Sequence, residues 1–322
     1  MSDAAHAAGY PGMKDYGMIR DVFADTTERW LNANTFLPRI TESGYLGKIK
    51  NKGDTITIAK TPKITGGAYA RGQKLNIKTD VEDPLTLEVK RAYYWTQFYD
   101  QLDLHQTHLE HLTRRETVWS AAAATAEYIE REFLAEAPSM AHASNTGNTA
   151  GLISKAYNMG SAESPVALSR KNAVAYITQI FSMMSEQNVP DSLGEKSVLI
   201  PEFLRWYLLS SEELQDAGKI GGPSTLKTNF VKNIGGVNVY SSQLLTPVNS
   251  DDKWVFPVFA CCKSAINFVV ALNDVKVTEP YDMRGTLLSG LSLYDWGNVR
   301  SEGVAYGYVY AADTTILSAT GA

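Results

Sequence analysis

Three histidines are the residues whose spacing comes closest to that of a metal site. His105, His108 and His111 stand at steps of three. On a helix, adjacent members of this set lie close together, while the outer two diverge by ~120°. The surrounding residues match neither the HExxH nor the HxxEH pattern of zinc enzymes. We therefore interpret these histidines as helix-surface or interface residues and expect no metal ligands in the chain.

Motifs for catalysis and cofactor binding are missing from the sequence. It contains no GxSxG turn, no GxxxxGK[ST] phosphate loop and no GxGxxG fingerprint. The two cysteines, Cys261 and Cys262, are adjacent, which is neither CxxC spacing nor a disulfide framework. They follow an apolar stretch, so we interpret them as packing residues. The expectation is a protein that is not an enzyme and has no cofactor.

The clearest chemical signal is electrostatic. No acid lies between residues 59 and 74, a segment that carries four basic residues, Lys60, Lys63, Arg71 and Lys74. A later segment is rich in acids: Glu116, Glu127, Glu130, Glu132 and Glu136. For a single lysine, a solvated loop is the simpler interpretation. Taken together, the four bases predict docking on an acidic surface of another copy. The contact we predict joins Lys60, Lys63, Arg71 and Lys74 to Glu116, Glu127 and Glu130.

A long hairpin must position the four bases. Ile56 and Ile58 alternate with threonines, and Leu85, Leu87 and Val89 alternate with polar residues, which is typical of two half-buried strands. Pro62, Gly66, Gly67 and Gly72 interrupt the pattern between them. The sequence therefore predicts a hairpin that projects from the body of the protein.

A long helix must position the acids. Apolar residues recur at steps of three, four and seven from about residue 103 to 136, at Leu109, Leu112, Trp119, Ala122, Ala126, Ile129 and Phe133. Pro138 is expected to end this helix. We expect Glu116, Glu127, Glu130, Glu132 and Glu136 to be exposed on it.

The second half of the chain alternates between helix and strand signals. Helices are predicted over residues 170–187 and from Pro201 to Leu214, with a short one over 264–272. Strands are predicted over 197–200, 235–241, 254–260, 275–278, 288–294 and 304–310. A segment rich in Gly, Ser, Asn and Thr, residues 145–164, marks a boundary, and Gly147, Gly151 and Gly160 are candidates for a joint or for ordinary turns. The fold class is α+β.

Composition limits the kinds of partner. The 322 residues are 44% hydrophobic, which predicts a folded chain. The net charge of −5 disfavours a protein whose main function is to bind the phosphates of nucleic acids. No apolar run approaches the ~20 residues of a membrane helix, and the start lacks a signal-peptide core. We expect a soluble protein with no membrane partner, made in a reducing cytoplasm.

The order of these elements resembles the Hong Kong 97 capsid fold of tailed-bacteriophage major capsid proteins. The resemblance is carried by residues 53–58 (GDTITI), by residues 84–106 (PLTLEVKRAYYWTQFYDQLDLHQ) and by residues 259–278 (FACCKSAINFVVALNDVKVT), which lead to Arg284 and Gly285. It spans roughly residues 45 to 310. It implies an N-terminal arm (1–45), an extended hairpin loop with flanking strands (46–100), a peripheral domain with a spine helix (101–165), an axial domain (166–264) and a return to the peripheral domain (265–322).

The resemblance also implies a function and partners. The chain would be a structural protein that assembles into pentamers and hexamers of an icosahedral phage head around double-stranded DNA, bound without sequence specificity. It would be made in the host bacterial cytoplasm and end in the virion. Separate scaffolding and portal proteins are expected, and decoration proteins are possible partners. Three alternatives stay open: the shell of an encapsulin-type compartment, a nucleic-acid-binding module that uses the basic hairpin, which the acidic total charge disfavours, and a hydrolase without a recognisable motif.

Overall fold

The computed structural model describes residues 36–43, 55–58, 67–68, 71–72, 74, 85–101, 110–189, 194–211, 230–234, 236–250 and 253–312. The helices in these ranges are α1 (Leu37–Ile40), α2 (Glu110–Met140), α3 (Ala173–Glu186) and α4 (Glu202–Leu209). The strands are β1 (Thr55–Ile58), β2 (Leu85–Glu88), β3 (Arg91–Asp100), β4 (Val166–Leu168), β5 (Lys196–Pro201), β6 (Phe230–Ile234), β7 (Val237–Ser242), β8 (Val248–Ser250), β9 (Lys253–Cys262), β10 (Ile266–Thr278), β11 (Gly285–Asn298) and β12 (Val304–Ala311).

A seven-stranded mixed sheet forms the centre of the molecule. Its order is β4-β12-β9-β5-β7-β6, and β8 pairs with one end of β9. The β4–β12 and β5–β7 pairs are parallel, and β9 runs antiparallel to both β12 and β5. Because side chains of a strand alternate between faces, Val258 and Ala260 enter one core while Phe259 and Cys261 enter another. The sheet is therefore covered on both faces.

Helices α3 and α4 cover the first face. The helix predicted over residues 170–187 is confirmed as α3: Ile177, Ile180, Phe181 and Met184 are buried against the sheet, and Val174 packs beside them. Helix α4 begins directly after Pro201, whose missing N–H costs nothing at this position. It ends at Leu209, earlier than the predicted Leu214, because the hydroxyls of Ser210 and Ser211 bond to carbonyls of the last turn.

The long helix α2 covers the second face. Ile129, Phe133 and Ala137 pack in the same core as Phe259 and as Leu37 of α1. The predicted helix is confirmed over its described part. It continues two residues beyond Pro138, to Met140. The prediction that Pro138 ends the helix is therefore wrong, because a proline in the last turn removes only one hydrogen bond from a helix that is already ending.

A three-stranded antiparallel sheet, β10-β11-β3, lies beside α2, and the base of the hairpin packs on it. The predicted pairing of the hairpin strands is confirmed, with Ile56 opposite Leu87 and Ile58 opposite Leu85. Leu87 and Val89 pack against Val269 and Leu293 of the three-stranded sheet. The hairpin thus leaves the body from a fixed apolar base.

The predicted helix over residues 264–272 is wrong. A short 3-10 turn, Lys263–Ala265, leads directly into strand β10. An unbroken apolar run fits a buried strand as well as a helix, and here β-branched residues and pairing with β11 favour the strand. Strand β12 returns to the central sheet, between β4 and β9. The domain boundaries given above remain a prediction. No helix in the described ranges is both long and apolar enough to cross a membrane.

Candidate functional site

The tip of the hairpin presents its bases to solvent where it is described. Arg71 and Lys74 are exposed, and Gly72 between them has a φ of 86°, a conformation that favours glycine. Lys60 and Lys63 lie outside the described residues. The predicted contact with another copy is therefore available to Arg71 and Lys74 and remains a prediction.

Only part of the predicted acidic surface is exposed on α2. Glu127 is exposed and forms a 2.7 Å ion pair with Arg131, one helical turn later. Glu116 lies within α2, but its side chain is outside the described set. Such an exposed i,i+4 pair contributes little to stability and is easily exchanged for another partner. Glu127 therefore stays a candidate for contact with a second copy.

Glu130 is buried, so the prediction that it is an exposed docking acid is wrong. Its side chain is 4% exposed, and its Oε1 accepts the backbone N–H of Phe36 at 2.6 Å. The carboxyl group thereby fixes the start of α1 against α2. Burial raises the pKa of Glu130 to about 8, against the opposing effect of the backbone N–H groups of Phe36 and Leu37.

The raised pKa predicts that the unassembled subunit loses stability as the pH rises from about 5 to 8. In this window the folded state holds a proton on Glu130 that the unfolded state has released, so the free energy of unfolding falls with increasing pH. We expect a loss of about 2 kcal/mol between pH 5.5 and 7. Urea unfolding at a series of pH values measures it. Glu130→Gln, which keeps the acceptor and cannot ionise, should flatten that part of the profile; an unchanged slope would contradict the assignment.

The other two acids predicted to be exposed, Glu132 and Glu136, are engaged by the chain's own Arg91. Its Nη1 lies 2.8 Å from Glu132 Oε1 and its Nη2 lies 2.7 Å from Glu136 Oε1. Its Nε lies 3.2 Å from Asp295 Oδ1 on β11. The guanidinium carbon lies 3.9 Å from the ring centroid of Trp296. One arginine therefore joins the first residue of β3 to α2 and to β11.

Neighbouring groups complete this Arg91 cluster, which comprises Arg91, Glu132, Glu136, Tyr294, Asp295 and Trp296. The indole Nε1 of Trp296 donates to Glu136 at 3.0 Å, and the hydroxyl of Tyr294 donates to Glu132. The backbone N–H of Lys90 donates to Asp295 at 3.1 Å. Partial burial lowers the pKa of Arg91, but the hydrogen bonds and negative charges of Glu132, Glu136 and Asp295 outweigh this effect and raise that pKa above its ordinary value. The cluster holds Lys90 and Arg91, which directly follow the hairpin strand β2 and Val89, against α2 and β11.

Sequence reasoning missed this cluster, although two signals for it exist. Arg91 is the only charged residue between Lys90 and Asp100, within an otherwise aromatic and polar strand. Glu132 and Glu136 stand at i,i+4, which places both carboxylates on one side of a helix. A single arginine opposite two such acids favours a bidentate, charge-assisted contact.

The glycine-rich segment before β4 is tightly packed. A Cβ on Gly160 would lie 2.2 Å from the carbonyl oxygen of Tyr308, and both Gly147 and Gly160 have positive φ values, 81° and 78°. These glycines therefore serve close approach and turn formation. Cys261 and Cys262 are free and buried, and the Cys261 thiol donates to the carbonyl of Ile40. Within the described ranges, no group of three or more His, Cys, Asp and Glu residues could hold a metal ion. His105 and His108 lie outside those ranges.

Comparisons with known proteins identify the fold. No protein-family model matches the sequence, and no curated protein matches it significantly. Solved structures do match. A chain from Mycobacterium phage Che8 is 18% identical, with a TM-score of 0.57 over 84% of this chain and 89% of that one. A chain of the bacteriophage PhiM1 mature capsid is 17% identical, with a TM-score of 0.55 over 84% and 88%.

A chain of the cyanophage Pam1 capsid shows the same relation. It is 13% identical, with a TM-score of 0.57 over 85% of this chain and 89% of that one. The matches cover most of both chains, so they concern the whole architecture and not one common motif. The chain therefore has the fold of these phage capsid structures, which is the Hong Kong 97-type α+β fold that the sequence predicts.

Proposed function

We propose that the chain is the major capsid protein of a tailed bacteriophage. The observation that carries the proposal is the match to chains of phage capsids, which extends over 84 to 85% of this chain and over 88 to 89% of theirs. A shell of many copies is stabilised by the sum of repeated contacts. Each contact is weak enough to break and re-form, so errors of assembly are corrected.

The proposed partners follow from this role. Copies of the chain form pentamers and hexamers of a virion head that encloses double-stranded DNA, with separate scaffolding and portal proteins. The net charge of −5 suits a container, because a strongly basic inner wall would bind packaged DNA in a salt-dependent manner. The role is structural and requires no catalytic residue.

Assembly of the purified chain tests the proposal directly. Negative-stain microscopy and sedimentation velocity should show pentamer and hexamer rings or uniform icosahedral shells as the concentration rises. The chain at each concentration before assembly serves as the reference. A chain that stays monomeric at every concentration, with and without scaffolding protein, would contradict the proposal.

The basic hairpin is proposed to dock on a neighbouring copy. Arg71 and Lys74, with Lys60 and Lys63, would approach acids that remain accessible on α2 of that copy, of which Glu127 and Glu116 are the candidates. Because Glu130 is buried and Glu132 and Glu136 bind Arg91, the receiving surface is smaller than the sequence suggests.

Arg71→Glu should impair assembly without impairing folding. Arg71 is exposed, so its replacement leaves the melting temperature of the subunit within about 1 °C, whereas charge reversal at a contact repeated in every copy lowers the yield of shells at least about tenfold. Sedimentation measures the yield. Arg71→Lys, which keeps the charge, is the matched control. Normal shells from Arg71→Glu would exclude a role for this residue in docking.

A further inference from the structure

The turn at residues 151–156 holds two aliphatic side chains out to solvent. Ile153 is 78% exposed and Leu152 is 49% exposed. The turn closes a short hairpin in which Gly147 pairs with Gly160 and Ala150 with Tyr157. Exposure of two adjacent aliphatic residues is unfavourable in water, so a covering partner would stabilise the turn.

This aliphatic turn is held in one shape before any partner arrives. The exposed carboxylate of Glu186 accepts the backbone N–H groups of Ile153 and Ser154, at 3.0 and 3.1 Å. Gly151 has a φ of 109°, and a Cβ there would lie 2.9 Å from Ser154 Oγ and 3.0 Å from Glu186 Oε2. A preformed contact element loses less conformational entropy on binding than a flexible one.

A second exposed surface in the described part of the chain is aromatic. Trp206 of α4 and Trp254 of β9 are each 60% exposed. Phe203 of α4 and Phe256 of β9 contact each other, with ring centroids 5.1 Å apart. Trp206 follows Phe203 by three residues on the helix, and Trp254 precedes Phe256 by two residues on the same face of its strand. These four residues are the aromatic patch.

The aliphatic turn and the aromatic patch lie at opposite ends of the same face of the central sheet. Helix α3 starts where β4 ends and reaches Glu186 before β5 begins, a path of roughly 21 Å for its 14 residues. The turn contacts the far end of α3, through Glu186 and through Tyr157, whose hydroxyl bonds to Ser182. The patch lies where β5 ends and the antiparallel strand β9 begins, because α4 follows Pro201 directly.

We propose that the aliphatic turn of one copy packs on the aromatic patch of the next copy in a head-to-tail ring. The inference rests on the proposed shell assembly and names a contact within it. A ring of identical subunits requires two different, complementary surfaces on each copy. Charge supports the match: Arg205, whose guanidinium lies 5.7 Å from the Trp206 ring and pairs with Glu202, would meet Glu186, and Glu202 would meet Lys155. Trp and Arg are also enriched among the residues that contribute most to binding at protein interfaces.

Cross-linking between copies tests the contact directly. Leu152→Cys and Glu202→Cys are placed in one chain, shells are assembled, and a short bismaleimide is added. A ladder of covalent oligomers is expected from the double variant alone, because the native Cys261 and Cys262 are buried and a cross-link within one copy would not join it to the next. Each single variant is the control. Shells of the double variant that give no ladder would overturn the proposal.

Substitution gives an independent test. Ile153→Asp and Trp206→Ala should each raise the concentration needed for assembly at least about tenfold. The conservative changes Ile153→Val and Trp206→Phe should leave it within about threefold. Both residues are largely exposed, so circular dichroism of the unassembled variants should match that of the native chain. Normal assembly of the two disruptive variants would overturn the contact.

The fluorescence of Trp206 tests whether a second copy covers the aromatic patch. This fluorescence is obtained as the difference between the native chain and Trp206→Phe. Its quenching by acrylamide should fall when shells form. Protection already complete in the unassembled subunit, or protection produced by adding a dT20 oligonucleotide, would overturn the assignment to a second copy. If the native chain forms no rings or shells at all, the proposed function is contradicted. If shells form but Trp206 is not protected by a second copy, only the proposed contact is contradicted.

Discussion

Arg91→Met is expected to lower the free energy of unfolding of the unassembled subunit by about 2 to 4 kcal/mol. The substitution keeps an unbranched stem against Trp296 and removes the cation that Glu132, Glu136 and Asp295 share. Removing one partner of a partly buried ion cluster leaves like charges facing each other, which is more costly than loss of a surface pair. Glu132 and Glu136 have side chains that are 31% and 43% exposed, so the expected loss is smaller than for a fully buried cluster.

Urea unfolding followed by circular dichroism measures this loss, and the chain offers a matched control. Arg131→Met removes an arginine from an exposed i,i+4 pair with Glu127 and should cost at most about 0.5 kcal/mol. Arg91→Lys keeps one positive charge without the planar fork and should fall between the two. Equal losses for Arg91→Met and Arg131→Met would contradict a special role for the Arg91 cluster.

The Arg91 cluster also connects stability to the proposed assembly. Arg91 follows the returning strand of the hairpin by three residues, and the adjacent Lys90 N–H donates to Asp295. Loss of the cluster should therefore make the orientation of the hairpin more variable, in addition to lowering the stability of the fold. At a temperature where Arg91→Met is fully folded, we expect a lower yield of shells than for Arg131→Met.

The sequence predicted the elements better than their contacts. Period-two alternation at Ile56 and Ile58, and again at Leu85 and Leu87, depends only on nearby residues, and the structure pairs these strands as predicted. The periodicity that predicts α3 is equally local, and that helix is confirmed. The apolar run after Ser264 carries no period, so periodicity could not separate helix from strand there.

Whether the predicted acids are exposed on α2 depends on long-range contacts, which could not be predicted from the sequence. In the sequence Glu130 looks like an exposed helix acid. In the structure its carboxylate accepts the backbone N–H of Phe36, which lies 94 residues earlier in the chain. Glu132 and Glu136 also look exposed in the sequence, but in the structure they bind Arg91, which lies 41 and 45 residues away in the chain. Helical spacing gives the direction of a side chain relative to its own helix. Which element covers that side is decided by tertiary packing.

The second large effect is expected from Phe133→Ala, at the junction of α2 with both sheets. Phe133 is fully buried. Its ring centroid lies 5.6 Å from that of Phe259 in the central sheet and 5.5 Å from that of Trp296 in the three-stranded sheet, and both contacts are edge-to-face. Truncation removes both aromatic contacts and leaves a cavity, so the free energy of unfolding should fall by about 3 to 5 kcal/mol.

Phe133→Leu is the control, since it refills much of the cavity and should cost about half as much. Trp296 also packs on Arg91, so the two sites should not be independent. In the double variant Arg91→Met with Phe133→Ala, the combined loss should differ from the sum of the single losses by about 0.5 kcal/mol or more. Strict additivity would show that the aromatic junction and the Arg91 cluster act separately. Coupling would mean that the hairpin, the spine helix and the central sheet are held by one continuous network.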